Sequence, residues 1–231
     1  MGCLNMTSNT HGSVCCPICN NQVSLLPAGQ LQELRRCPIC KSLDRQRALW
    51  LYFERHTDLF TTDNEIKVLH FAPEKVFHDK FTNLSHVDYY PVDFDADRYK
   101  GNLRDVVDIQ KIQYQDDMFD VIICFHVLEH APDEQAAMSE LRRVLKPDGQ
   151  GLISVPVFYK LETTLENPAY DTPELRQQYY GQHDHVRKYG RDFICRLRSA
   201  GFTVDTIKPV TAFTDKNYGL RKTQEIFIVK K

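Results

Sequence analysis

Two Cys-Pro-Ile-Cys units, Cys16–Cys19 and Cys37–Cys40, stand seventeen residues apart near the start of the chain. Each unit puts two thiolates on one tight turn, and two such turns complete a tetrahedral sulfur shell suited to Zn²⁺. The stretch that carries them is too short to bury a core of its own, so a bound metal is what would hold it folded. With Cys16, Cys19, Cys37 and Cys40 all supplied by protein, the expected site is structural. A redox reading fits less well, because a redox Cys-x-x-Cys pair normally follows a strand of a thioredoxin-like unit. Cys15 competes with Cys16 as a ligand, but Cys16 keeps the two-residue spacing of the second pair. Cys124 and Cys195 lie singly in apolar stretches, so the cysteine pattern favours metal ligation and buried thiols over a disulfide framework.

The 231 residues suffice for one α/β domain with a small appendage, and the formal net charge of −2 gives no general pull toward nucleic acid or anionic membrane. Apolar runs such as Val121–Phe125 and Gly151–Val157 are strand-sized, far short of a membrane span. Met1–Ser13 reads as a polar start without the order of a signal peptide, which points to the cytoplasm. Between Met1 and Phe60 six Lys or Arg face four Asp or Glu, and no aromatic precedes Trp50. That is a thin footprint for nucleic acid, with no stacking platform.

The chain divides by pattern into a zinc ribbon at 1–43, a connecting helix and linker at 44–64, and an α/β domain at 65–231. The helix from Leu43 to His56 shows three- and four-residue spacings with Asp44 as N-cap. Strands are expected at Lys67–Phe71, Val87–Val92, Asp120–Phe125, Gly151–Val157, Phe202–Ile207 and Glu225–Val229. Helices carry Met138, Leu141, Val144 and Leu145, and then span Arg191–Ala200. Lys146-Pro147-Asp148-Gly149 is expected to break the first of these. Strands and helices alternating in this way predict a Rossmann-like, doubly wound, mostly parallel sheet with an antiparallel last strand. Ligands in such sheets bind beyond the carboxyl ends of the strands.

Val68-Leu69-His70-Phe71-Ala72-Pro73-Glu74 takes the place of a first strand and loop. Asp93 follows Glu74 by nineteen residues, at the end of an apolar strand where a carboxylate can take ribose hydroxyls. The ordered set FDVIICFHVLEH … ELRRVLKPDGQGLISVP resembles the class I S-adenosylmethionine-dependent methyltransferases, specifically the broad type 11 group. LHFAPE and GQHDHVRKYG resemble members of that group that carry an N-terminal Cys-x-x-Cys ribbon. The resemblance spans roughly Lys67–Val229. It implies that the loop His70, Phe71, Ala72 and Glu74 wraps the methionine part of S-adenosylmethionine. It implies further that Asp93 holds the ribose, Phe94 and Ile109 flank the adenine, and Asp108 accepts from the adenine amino group. Cys124 and His126 would lie beside the methionine end. One departure is the absence of glycine after the first strand, without which the loop is not expected to make the family's left-handed turn.

The polar, tyrosine-rich stretch 163–189 interrupts the alternation and is expected over the open side of the cofactor, a natural place for acceptor recognition. His130, His183 and His185 are the candidate catalytic groups, since a hydroxyl or amine acceptor must lose a proton. His183 and His185 with Glu129 or His130 also permit a second metal, and Arg187 is a candidate clamp for an anionic acceptor. The expected function is methyl transfer to a small-molecule or saccharide-type acceptor. Two alternatives are a zinc-ribbon rRNA methyltransferase and a non-catalytic zinc-stabilised binding module with a degenerate cofactor site.

Overall fold

The computed structural model describes residues 13–27 and 35–231. The polar start read at Met1–Ser13 lies, apart from Ser13, outside them. The chain forms two compact units.

The described residues up to Asn64, with Lys75–Lys80 and Ile207–Ile226, make the first unit. Strand β1 (Ser13–Cys16) pairs antiparallel with β2 (Asn21–Ser24), and β3 (Leu26–Pro27) with β4 (Arg35–Arg36). Helix α1 (Asp44–His56) buries Ala48, Leu49, Leu51, Tyr52 and Phe53. Its N-cap is Leu43, whose backbone N–H donates to the Gln46 side chain at 2.8 Å. Asp44, expected to cap, is instead the first helical residue, and its buried carboxylate accepts from Arg221. A carboxylate in the first turn also suits the helix dipole. Helix α2 (Lys75–Phe81) sends Phe77 edge-on to Phe53, ring centroids 6.3 Å apart.

Residues 207–226, which include the short helix α7 (Pro209–Ala212), join this unit through Arg47. The Arg47 guanidinium is fully buried and donates to the carbonyls of Ser42, Tyr218 and Gly219, each at 2.8 Å. Gly219 sits at φ +64°, a left-handed conformation that favours glycine, and a Cβ there would also displace the Leu25 side chain.

The second unit is built on a seven-stranded sheet of order β10-β11-β9-β8-β5-β6-β7. The strands are β5 (Ile66–Phe71), β6 (Val87–Asp93), β7 (Asp105–Val106), β8 (Phe119–Phe125), β9 (Leu145–Ser154), β10 (Thr203–Ile207) and β11 (Ile226–Lys230). Parallel ladders join β5 to β6 and β8, β6 to β7, and β8 to β9, while β11 runs antiparallel to β9. This is the doubly wound, mostly parallel architecture expected from the alternation. Central strands covered on both faces read as unbroken apolar runs, as Val121–Phe125 does.

Helix α4 (Glu134–Val144) starts at Asp133, whose side chain accepts from Ala136 N at 2.9 Å. It buries Ala137, Met138, Leu141 and Val144, one stripe at helical spacing. Helix α6 (Phe193–Ser199), shorter than the span expected, buries Phe193 and Leu197 one turn apart. Both stripes enter the main core with Leu69, Ile122, Ile153 and Phe227.

Helix α4 ends at Val144, just before Lys146-Pro147-Asp148-Gly149, as expected, but those residues and Leu145, expected on the helix, belong to β9, which starts at Leu145. The register there jumps from Phe119↔Leu145 to Val121↔Gln150, so these residues form an irregularity that takes up extra chain within the ladder. Gly149 is needed where the strands approach, since a Cβ would meet Phe119 O at 2.9 Å. The polar stretch 163–189 holds α5 (Pro173–Tyr180), capped by the Thr172 hydroxyl and opened by proline at its first position. Short helix α3 (Ala96–Tyr99) follows β6 and is capped by Asp95.

Candidate functional site

The register of the parallel ladders sets one level of residues at the carboxyl ends of the strands. Phe71 pairs with Val92 and with Cys124, Asp93 with Val106, and Phe125 with Ser154. Ala72 follows at the end of β5 with φ +50°, and His126 at the end of β8 with φ +58°. The absence of glycine therefore does not prevent a left-handed turn after the first strand: Ala72 makes it, anchored by its N–H on Val92 O at 3.0 Å. An L-residue held there costs roughly 1–2 kcal/mol, and such strain collects at ligand sites.

Asp93 is 6% exposed, and its Oδ1 accepts from Asp95 N at 2.9 Å. Tyr99, a residue the sequence pattern does not single out, hydrogen-bonds the same carboxylate, and burial together with Asp93 pushes its phenol up. Phe94, next to the buried Asp93, is 72% exposed. Glu74 is half-buried near Tyr89 and Tyr99, and its charge adds to the burial that raises both phenols. Asp108 is exposed, its carboxylate accepting from Gln110 N at 2.9 Å.

Other expected site side chains point inward. His70 is fully buried, with Nδ1 2.9 Å from Tyr89 Oη. Phe71, Ile109 and Cys124 lie in the main core, and burial pushes the Cys124 thiol up. Of these four, only backbone groups are offered at the strand ends.

Beyond β8 the chain turns through His126–Pro132. His126 Nδ1 is 3.2 Å from Glu129 Oε1, while Glu129 is 1% exposed and its Oε2 is buried without a hydrogen-bond partner. His130 and His185 meet edge to face with ring centroids 4.7 Å apart, and His130 Nδ1 lies 3.2 Å from Asp184. Ligand atoms of Glu129, His130 and His185 all fall within 4.8 Å of one another. Burial holds the His185 imidazolium below its ordinary pKa. His183 is exposed on the same segment and is not brought into this group.

Arg187 locks the two segments together. It is 1% exposed and donates to Leu128 O at 2.8 Å, Ala131 O at 2.5 Å and Pro132 O at 2.9 Å, and pairs with Glu166 at 2.8 Å. Its donors are taken by protein, which fits an anchor and leaves none to clamp an acceptor. Val186 N–H donates to Glu129 O at 2.9 Å, and Tyr189 Oη sits on Leu128 O and Glu134.

In the first unit, Cys16, Cys19, Cys37 and Cys40 come together with Sγ atoms within 4.8 Å of one another. The two cysteine turns are alike. Asn20 N–H returns to Cys16 O and Lys41 N–H to Cys37 O, with Asn20 at φ +56° and Lys41 at φ +62°. Cross-turn Sγ pairs lie 3.6 Å (Cys16–Cys40) and 3.7 Å (Cys19–Cys37) apart. Sulfurs about 2.3 Å from a tetrahedral Zn²⁺ would be roughly 3.8 Å apart, so the donor set fits that ion closely. Arg47 adds a buried positive charge that the sulfurs of Cys16, Cys37 and Cys40 favour. Cys15, left by its sequence as a rival ligand, is disulfide-bonded and does not join the four.

Residues 67–153 match the family model described as a methyltransferase domain, Methyltransf_11. The matched segment runs from β5 through β9, the strands whose carboxyl ends carry Ala72, Asp93 and His126. The uncharacterized 37.1 kDa protein in transposon TN4556 of Streptomyces fradiae is 28% identical over 130 residues, covering 51% of this chain and 36% of that one. The aligned part is thus about a third of that relative's length. Among solved structures, the [4+2]-cyclase SpnF is similar with a TM-score of 0.54 and 15% identity, over 83% of this chain and 84% of that one. Phosphoethanolamine N-methyltransferase 2 of Haemonchus contortus, in complex with S-adenosyl-L-methionine, is similar with a TM-score of 0.53 and 13% identity, over 80% and 52%. At these identities the likeness is one of fold. No helix among the described residues is long and apolar enough to cross a membrane.

Proposed function

We propose that this chain transfers a methyl group from S-adenosylmethionine to a small-molecule or saccharide-type acceptor, and that Zn²⁺ on Cys16, Cys19, Cys37 and Cys40 serves structure alone. The observation that carries the reading is the left-handed Ala72 turn set level with the buried Asp93 carboxylate, inside the segment that matches a methyltransferase domain. Asp93, steadied by Tyr99 and Asp95 N–H, accepts from the ribose hydroxyls. The exposed Phe94 ring covers one adenine face, and Asp108 accepts from the adenine amino group by sharing its carboxylate with Gln110. Ile109 supports that loop from the core. Backbone groups of His70, Phe71 and Ala72, with the Glu74 carboxylate, hold the methionine part, and the turn after Cys124 at His126 closes that end. The cofactor, when bound, offers an electrophilic methyl on a sulfonium.

The acceptor meets the chain at His126, Glu129, His130 and His185, with His183 reaching it from the solvent side. These groups orient a hydroxyl and manage its proton. Asp184 is the exposed charge on this surface, Glu129 lies just beneath it, and Arg187 is buried. These features suit a neutral acceptor better than a phosphate-rich polymer. Labelled cofactor incubated with the protein and fractionated cell extract tests the assignment. Label is expected in the small-molecule or saccharide pool; label in RNA alone would reassign the acceptor.

A further inference from the structure

We propose that Glu129, His130 and His185 form a second metal site, binding a first-row divalent cation of the Mn²⁺–Zn²⁺ series and separate from the cysteine cluster. Two imidazoles and one carboxylate are a donor set that such cations favour. Their ligand atoms lie within 4.8 Å of one another. A cation about 2.0–2.2 Å from each would hold them roughly 3–4 Å apart, a closure that side-chain rotation supplies.

An independent observation points to a missing partner. Glu129 is 1% exposed, and its Oε2 is buried with no hydrogen-bond partner. A buried carboxylate oxygen left in this way is costly unless a cation or donor meets it. Its other oxygen is 3.2 Å from His126 Nδ1, and His130 is backed by Asp184 at 3.2 Å. Carboxylate–imidazole contacts of this kind orient and strengthen metal-binding histidines. The ligands also arrive pre-positioned from two segments. Arg187 ties residues 128, 131 and 132 to the 185–189 segment, and Val186 N–H bonds Glu129 O directly.

The cation binds whether or not the chain transfers methyl groups, but its role toward the acceptor rests on that reading. An acceptor hydroxyl on the open coordination position has a lowered pKa and gives its proton to solvent. The oxygen's electron pair then forms the new O–CH₃ bond as the sulfonium S–CH₃ bond breaks and its pair returns to sulfur. A hydroxyl oxygen is the acceptor atom that a cation at this position would activate.

The test titrates Mn²⁺ alone into the full chain with its cysteine-bound metal retained, reading free Mn²⁺ by electron paramagnetic resonance. Mn²⁺ prefers oxygen and nitrogen donors and does not compete for thiolates. One Mn²⁺ per chain is expected, with affinity falling about tenfold or more in Glu129→Gln and in His185→Ala. Thermal melts of each variant verify folding, and His185→Ala stands on a different segment should Glu129→Gln fail to fold. No binding of Mn²⁺, or of Zn²⁺ beyond the cysteine-bound equivalent, would overturn the site, as would undiminished binding in both variants. Mn²⁺ binding without any binding of S-adenosylmethionine would leave the site standing and defeat the methyltransferase reading instead.

Discussion

Ala72 carries the turn that a glycine usually makes, and its left-handed backbone is maintained by the bond to Val92 O. Replacing it with glycine relieves roughly 1–2 kcal/mol of left-handed strain, which outweighs the added unfolded-chain entropy, so Ala72→Gly should stabilise the protein by ~0.5–1 kcal/mol. Denaturant midpoints measure this, and a loss of stability would mean that the alanine methyl is packed rather than tolerated. This residue also shows where sequence reasoning stops. The missing glycine read as a missing turn, although alanine pays for the same conformation when the neighbours insist on it. Asp93 was legible because a carboxylate ended an apolar strand. The inward course of His70 and Cys124 was not, because facing depends on register, which only the paired strands define.

Helix α4 and strand β9 show the same limit at the scale of elements. The pattern Met138, Leu141, Val144 located the helix and Lys-Pro-Asp-Gly marked its end, but a breaker read in isolation gives no sign that these residues belong to a strand. The ladder with β8 overrides that preference and absorbs the residues as an irregularity. The turn after β8 and the segment 185–189 are a second case. Arg187 looked able to clamp an acceptor, yet it fixes the two segments from within. Arg187→Leu strands Glu166 and several carbonyls, so it should lower stability by about 3–5 kcal/mol. Chemical denaturation gives the number. A loss under 1 kcal/mol would show that the guanidinium is dispensable to the scaffold.

At the scale of the whole chain, the cysteine spacing and the strand–helix rhythm made the zinc-suited cluster and the sheet readable early. Residues 207–226 were not readable as part of the cysteine-bearing unit, because Arg47 reaches carbonyls at 218 and 219, an association that leaves no mark in local pattern. It has a measurable consequence. Cys37→Ser, or metal removal by a chelator, should strip hydrogen-exchange protection from α1 and from 213–221 together, while β5, β8 and β9 keep theirs. Protection lost at the cysteine turns alone would separate the distal segment from the metal.

The central claim is that the strand ends around Ala72 and Asp93 hold S-adenosylmethionine, and calorimetric titration of the cofactor into the wild-type chain and Asp93→Ala tests it most directly. The account predicts one saturable site in the wild type, weakened in the variant by about 1.5–3 kcal/mol, or some ten- to a hundredfold. Equal affinity in the two proteins, or no heat of binding in either, would contradict it.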